Sequence, residues 1–207
     1  MNMKTYLKTF SFFLLLSAIS LTGCMGKIKC PTYNTLNLAP AIDPPPKSGA
    51  LVSIAVRQFQ APAYLREGPV VYLISPEEIG FYEYHRWAVD PRQAITHAIV
   101  ERLRASGNFA LVKTYDGHND VDYVLTGRLD KLDELDYEGG VRVEVALSAQ
   151  VTDLHSGKTV WTNSSAEKAK LQERKVSAVV AQMSSLTDRS IEELLKSLEL
   201  PPSTAMK

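Results

Sequence analysis

Residues 141–151 alternate without a break. Val141, Val143, Val145, Leu147, Ala149 and Val151 hold one parity, and Arg142, Glu144, Ala146, Ser148 and Gln150 hold the other. Successive side chains of a strand point to opposite faces, so this run builds one buried and one wet face. A second run has the same grammar: Tyr123, Leu125, Gly127 and Leu129 against Val124, Thr126, Arg128 and Asp130. Two such strands so close in the chain predict an antiparallel pair covered on one side. Gly139-Gly140 predicts the turn between them. Asp153-Leu154-His155-Ser156-Gly157-Lys158 predicts a second turn, leading into a strand from Thr159 to Asn163.

Helices must supply the cover. Asp90 reads as an N-cap with Pro91 at the first helical position, and Ala94, Ile95, Ala98, Ile99, Arg102 and Leu103 follow at helical spacing up to Gly107. A second, longer apolar stripe runs from Val176 through Val179, Val180, Met183, Leu186, Ile191, Leu194, Leu195 and Leu198, and Pro201-Pro202 ends it. Upstream, Leu51 to Val56, Val70 to Ile74 and Phe81 to Ala88 read as strands, and Phe109 to Val112 as a short one. The order β-β-β-α-β-β-β-β-α mixes a crossover with hairpins. It predicts an α/β chain, a mixed β-sheet with two main helices packed on it.

The N-terminus places this domain in the cell. Lys4 and Lys8 precede an apolar run, Phe10 to Leu21, that is shorter than the roughly 20 residues a membrane-spanning helix needs. Leu21-Thr22-Gly23-Cys24 resembles a bacterial lipobox, which implies cleavage after Gly23 and a lipid on Cys24. Residue 25 is Met rather than Asp, which by the sorting rule of such lipoproteins implies the outer membrane. Met25 to Gly49 carries five prolines and no sustained hydrophobic period, and reads as an extended tether reaching up to about 75 Å. The expected organisation is signal peptide 1–23, lipidated Cys24 and tether to residue 49, one domain over 50–200, and a tail from 201 to 207. Cys30 has no partner once Cys24 is acylated, so no disulfide framework is expected.

Charge removes further classes. The 207 residues carry 23 basic and 23 acidic side chains, and losing the signal leaves 21 against 23. A net −2 offers no excess to neutralise phosphates, so no nucleic-acid partner is expected.

Catalytic and cofactor motifs are missing as patterns: there is no Gly-x-Ser-x-Gly, His-Glu-x-x-His, Cys-x-x-Cys or phosphate-cradling glycine loop. His85, His97, His118 and His155 are scattered. The best metal candidate, Asp116-Gly117-His118-Asn119-Asp120-Val121-Asp122, lacks the glycine and distal Glu of a calcium loop and reads as a solvated connection. Asp130, Asp133, Glu134 and Asp136 offer an acid–base pair on paper, but read as the wet face and end of a strand. No catalytic residue, metal ligand or cofactor is assigned.

Several stretches together resemble a known family: Pro62-Ala63-Tyr64-Leu65, Tyr82-Glu83-Tyr84-His85-Arg86-Trp87-Ala88, Leu103-Arg104-Ala105-Ser106-Gly107-Asn108-Phe109 and Tyr123-Val124-Leu125-Thr126-Gly127-Arg128-Leu129, with a late Asp-x-x-x-Gly-Lys turn. The chain is similar to ABC-type transport auxiliary lipoproteins of the PqiC kind. That resemblance implies an α/β sandwich similar to the N-terminal domain of TolB and no enzymatic activity. It also implies an MCE-domain partner in a system carrying phospholipids or other hydrophobic cargo, a membrane contact through the lipid anchor, and room for a homo-oligomeric ring. The competing reading is a periplasmic ligand-binding or hydrolytic lipoprotein that uses the 81–87 aromatics.

That stretch, "FYEYHRWAVDP", carries the remaining assignments. As a regular strand it puts Phe81, Glu83, His85 and Trp87 on one side and Tyr82, Tyr84, Arg86 and Ala88 on the other. Trp87, just before the Asp90-Pro91 helix start, is the expected core anchor. Tyr82, Tyr84 and Arg86 are the expected partner surface, since Tyr and Arg are enriched at interfaces.

Overall fold

A computed structural model describes residues 29–41, 52–118, 120–137 and 139–200. The signal segment, Cys24, Met25, the tether stretch 42–49 and the tail 201–207 lie outside them. None of the described helices is long and apolar enough to cross a membrane.

The centre of the fold is the second of the two alternating runs. Strand β6 (Tyr123–Leu135) pairs antiparallel with β7 (Arg142–Asp153) along nearly its whole length, and β7 pairs antiparallel with β8 (Thr159–Lys170). Its other edge is shared. The first residues of β6 pair parallel with β2 (Ser53–Val56), and its last two with β3 (Pro69–Ser75). Beyond β2 lies β5 (Leu111–Thr114), parallel to it. Beyond β3 lies β4 (Glu78–Trp87), antiparallel, and then β1 (Thr32–Asn34), parallel to β4. One eight-stranded mixed sheet results.

Both helices, α1 (Pro91–Ser106) and α2 (Val176–Leu195), pack on one face. Ile95, Ile99 and Leu103 of α1 and Val179, Met183, Leu186 and Ile191 of α2 join Leu125, Leu129, Val145, Leu147 and Val151 in a single core. The Asp90 carboxylate caps α1 by accepting from the Arg92 amide at 2.9 Å. On the opposite face, among the described residues, Ala55, Val121 and Val124 form a small cluster with Tyr115 and Leu154 packed against it. Along β7 and β8 and the first half of β6, that face carries the polar parity of the alternation.

The packing leaves little slack at Gly127. A β-carbon added there would lie 2.1 Å from the fully buried Phe59 ring, which fills the space over the glycine. Gly127→Ala is expected to destabilise the domain by about 1–3 kcal/mol in urea unfolding. The cost should shrink in a Phe59→Leu background, where no ring occupies that space.

Beside β8, expected to end at Asn163 but running to Lys170, two further departures from the sequence reading stand out in the fold. The first is at the N-terminal side. An extended tether was expected through residue 49, yet residues 31–41 lie on the domain. Thr32–Asn34 pair with His85–Trp87, Leu36 and Leu38 pack against the core, and the amides of Asn37 and Ala39 donate to Ser184 Oγ and the Asp188 carboxylate on α2. Isolated Leu residues among prolines carry no period, so only tertiary contact reveals them. The second is in β6, which runs five residues past Asp130. A register shift between Leu129 and Lys131 leaves Asp130 as an extra residue, and the core-facing parity passes from odd to even numbers. Asp130, Asp133 and Glu134 therefore lie inside the strand with Asp136 just past its end, and Asp133 and Glu134 are both buried rather than wet.

Candidate functional site

The aromatic stretch forms the return strand of a hairpin whose turn is at Pro76-Glu77. Leu73, Tyr72 and Val71 of β3 pair in regular register with Ile79, Gly80 and Phe81 of β4. Gly80 is required there: a β-carbon would lie 2.3 Å from the Tyr72 ring, which crosses the strand at that point. Then regularity breaks. Between Val71 and Pro69 the chain of β3 advances two residues while β4 advances five, from Phe81 to Arg86. This bulge cancels the expected parity split. Tyr82 and His85, assigned by parity to opposite sides, meet edge to face with centroids 6.0 Å apart.

The bulge turns Tyr82 inward. Its ring lies 5.0 Å from that of Tyr72, and its hydroxyl donates to Glu134 Oε2 at 2.6 Å. Arg174, just before α2, completes the group. Its Nε is 3.1 Å from Glu134 Oε1, within ion-pairing reach though poorly aligned for a hydrogen bond. Its second arm pairs with Asp136 at 2.6 Å, and its guanidinium stands over Tyr72. Burial, then the hydrogen bond to Glu134, push the Tyr82 phenol up to about 12, and burial raises the Glu134 carboxyl too. Tyr82 is thus a strut between the hairpin, β6 and the start of α2. Removing only its hydroxyl, Tyr82→Phe, is expected to cost about 1–3 kcal/mol of stability in urea unfolding, because Glu134 loses its short donor.

The other stretch residues separate by exposure. Trp87 is buried in the main core, and its amide donates to the Gly68 carbonyl at 2.7 Å. Arg86 donates to the Glu67 carbonyl at 3.0 Å and is half-buried. Tyr84 is exposed at 36%, close to Glu83, with Phe81 at 37% and Ile79 at 41%. The surface this hairpin offers is therefore Ile79, Phe81 and Tyr84. Sequence parity could not have found Ile79 and Phe81 as surface residues, since both are apolar.

The acidic run does not form an acid–base pair. Asp133 and Glu134 are consecutive strand residues and point to opposite faces. Glu134 meets Tyr82 and Arg174, whereas Asp133 accepts from the Tyr64 hydroxyl at 3.2 Å. The 116–122 connection, read from the sequence as solvated rather than metal-binding, is held by a lysine. The Lys113 ammonium lies 3.0 Å from Asp116 and 2.6 Å from Asp120, holding the oxygens a cation would need.

One serine, aspartate and histidine do converge. Asp122 Oδ2 accepts from both the hydroxyl and the amide of Ser53 at 2.7 Å, and His155 Nε2 lies 3.2 Å from Asp122 Oδ1. The carboxylate stands between the other two. Nucleophilic catalysis needs the imidazole on the hydroxyl, so this order ties β2 to the β7–β8 turn and activates nothing. Concavities are shallow: a polar trough of about 710 Å³ on the open sheet face, along Thr126, Ser148, Gln150 and Thr162, and a groove of about 590 Å³ between residues 35–41 and α1.

The model for ABC-type transport auxiliary lipoprotein components matches residues 34–194. The chain belongs to that family. The match begins inside β1, in keeping with a domain that includes residues 31–41. Family membership makes it a lipoprotein component accompanying an ABC-type transport system, and lipoproteins are held to membranes by their lipid. Among solved structures, the chain is similar to protein XCC0632 from Xanthomonas campestris, of family model DUF330. The TM-score is 0.66 and the identity 17%, over 79% of this chain and 92% of that one. A second similar structure, described only as an uncharacterized protein, gives 0.61 and 16% over 82% and 99%. The hypothetical protein CT253 from Chlamydia trachomatis gives 0.50 and 10% over 71% and 95%. At these identities the likeness concerns the fold. A comparison with curated proteins finds no match.

Proposed function

We propose that this auxiliary lipoprotein is a non-catalytic, outer-membrane component of an MCE/ABC-type system that moves phospholipids or other hydrophobic molecules across the envelope. Lipid on Cys24 anchors it, and the domain faces the periplasm to meet an MCE-domain protein. Copies of the chain side by side suit a ring around the end of such a conduit. The observation that carries the reading is the β3–β4 hairpin, which exposes Ile79, Phe81 and Tyr84 on a domain of a transport-auxiliary family. Single exposed apolar residues are ordinary, but neighbouring ones on one hairpin mark an interaction surface. Tyr84 and Arg86 are its polar members.

A photo-crosslinking side chain placed at Tyr84 in intact cells tests this. Adducts with an MCE-domain protein are expected there, and none from position Thr162 on the open sheet face. Pull-downs from position 84 that never recover such a partner would overturn the reading.

A further inference from the structure

The outer edge of β4 is only partly used. Strand β1 covers it at His85, Arg86 and Trp87, in parallel, and among the described residues no strand pairs with it from Glu78 to Phe81. An uncovered strand edge carries a row of backbone donors and acceptors that a further strand can satisfy. The bulge over residues 82–85 and a second register shift between Glu78 and Ile79 bend the edge, so the regular, open run is Ile79 to Phe81. Ile79 and Phe81, two residues apart in regular register, share one side of it and are exposed.

Charge selects the occupant. Glu77 and Glu78 stand at one end of the open run and Glu83 beyond the other, and none of the three has an ion-pair partner among the described residues. Several carboxylates elsewhere in the domain are matched: Asp90 with Arg92, Glu144 with Lys131, Glu167 with Arg189, Asp188 with Arg102. A second copy of the same edge would bring acid against acid, which works against self-pairing.

We infer that β4 docks its transport partner by strand addition, taking a short extended segment that alternates apolar residues with Arg or Lys. The apolar side chains cover Ile79 and Phe81, the basic ones face Glu77, Glu78 and Glu83, and the backbone continues the line begun by β1. This rests on the docking reading above and specifies its mode.

Amide hydrogen exchange on the folded chain tests it, with a blocked peptide of alternating valine and arginine as the probe and a valine–glutamate peptide as its counterpart. The arginine peptide is expected to slow exchange within residues 78–82 and to bind about tenfold more tightly than the glutamate peptide. In Glu78→Lys/Glu83→Lys, both substitutions being on exposed side chains, that preference should reverse. No protection of β4 at millimolar peptide, or equal binding of both peptides, would overturn strand addition. So would an edge already protected by self-association. If Tyr84 crosslinks still reached an MCE-domain partner while β4 amides stayed unprotected by the peptide, the function would stand and only this mode would fall.

Discussion

Trp87→Ala is expected to lower the stability of the domain by about 3–5 kcal/mol, the usual cost of truncating a buried Trp. For a domain of this size that is a fall in melting temperature on the order of 10 °C. The reason is position. Trp87 closes β4 where three elements meet: β1 pairs alongside it, its amide reaches Gly68 ahead of β3, and Asp90 starts α1 three residues later. Its ring belongs to the core that both helices share. Tyr84→Ala, in contrast, removes an exposed ring and should leave the melting temperature unchanged while weakening partner capture. Thermal unfolding of both variants beside the crosslinking assay separates the roles. A Trp87→Ala protein that melts like the wild type but loses a bound ligand would restore the reading of 81–87 as a ligand platform.

How much of this was legible beforehand depends on where the backbone is regular. The alternation of 141–151 and 123–129 gave the antiparallel pair and its buried parity, and Asp90-Pro91 to Gly107 bounded α1 correctly. Periodicity works while each residue has one partner. At Asp130 one extra residue enters β6, and the same rule then assigns Asp133 and Glu134 wrongly. At 82–85 a larger bulge does likewise, joining Tyr82 to His85 and sending its hydroxyl to a carboxylate 52 residues away. No local signal announces either bulge, because each is set by the partner strand. The docking of Leu36 and Leu38 was hidden for a related reason, since two half-buried residues without a period acquire meaning only from the helices beneath them. What the site needed most, the uncovered stretch of β4, is a property of pairing and is written in no single strand.

The bulge at Asp130 also has a consequence measurable in pH. Asp133 is almost wholly buried, beside Glu144 on the paired strand and Lys131, with the Tyr64 hydroxyl on one oxygen and no hydrogen-bond partner on the other among the described residues. Burial pushes its carboxyl from the ordinary 3.8 to about 6, only partly opposed by the Tyr64 bond. The folded state therefore holds this proton more tightly than the unfolded state. From pH 3.8 to 6 the unfolded chain has lost it while the folded chain keeps it, so stability falls as pH rises through that window. The linked loss approaches about 3 kcal/mol and is complete by about pH 7. Asp133→Asn keeps an acceptor for Tyr64 and has no proton to lose. It should therefore be more stable than the wild type at pH 7.5 by as much as that amount, with the advantage gone near pH 4. Glu134, also raised by burial, titrates in the same direction in both proteins, and the exposed carboxylates with lowered values, such as Asp153, contribute the opposite slope equally to both. The difference between the two urea-unfolding curves thus belongs to position 133. Parallel pH profiles for the two proteins would show that water reaches this carboxylate, and that its burial under Tyr64 costs the fold nothing.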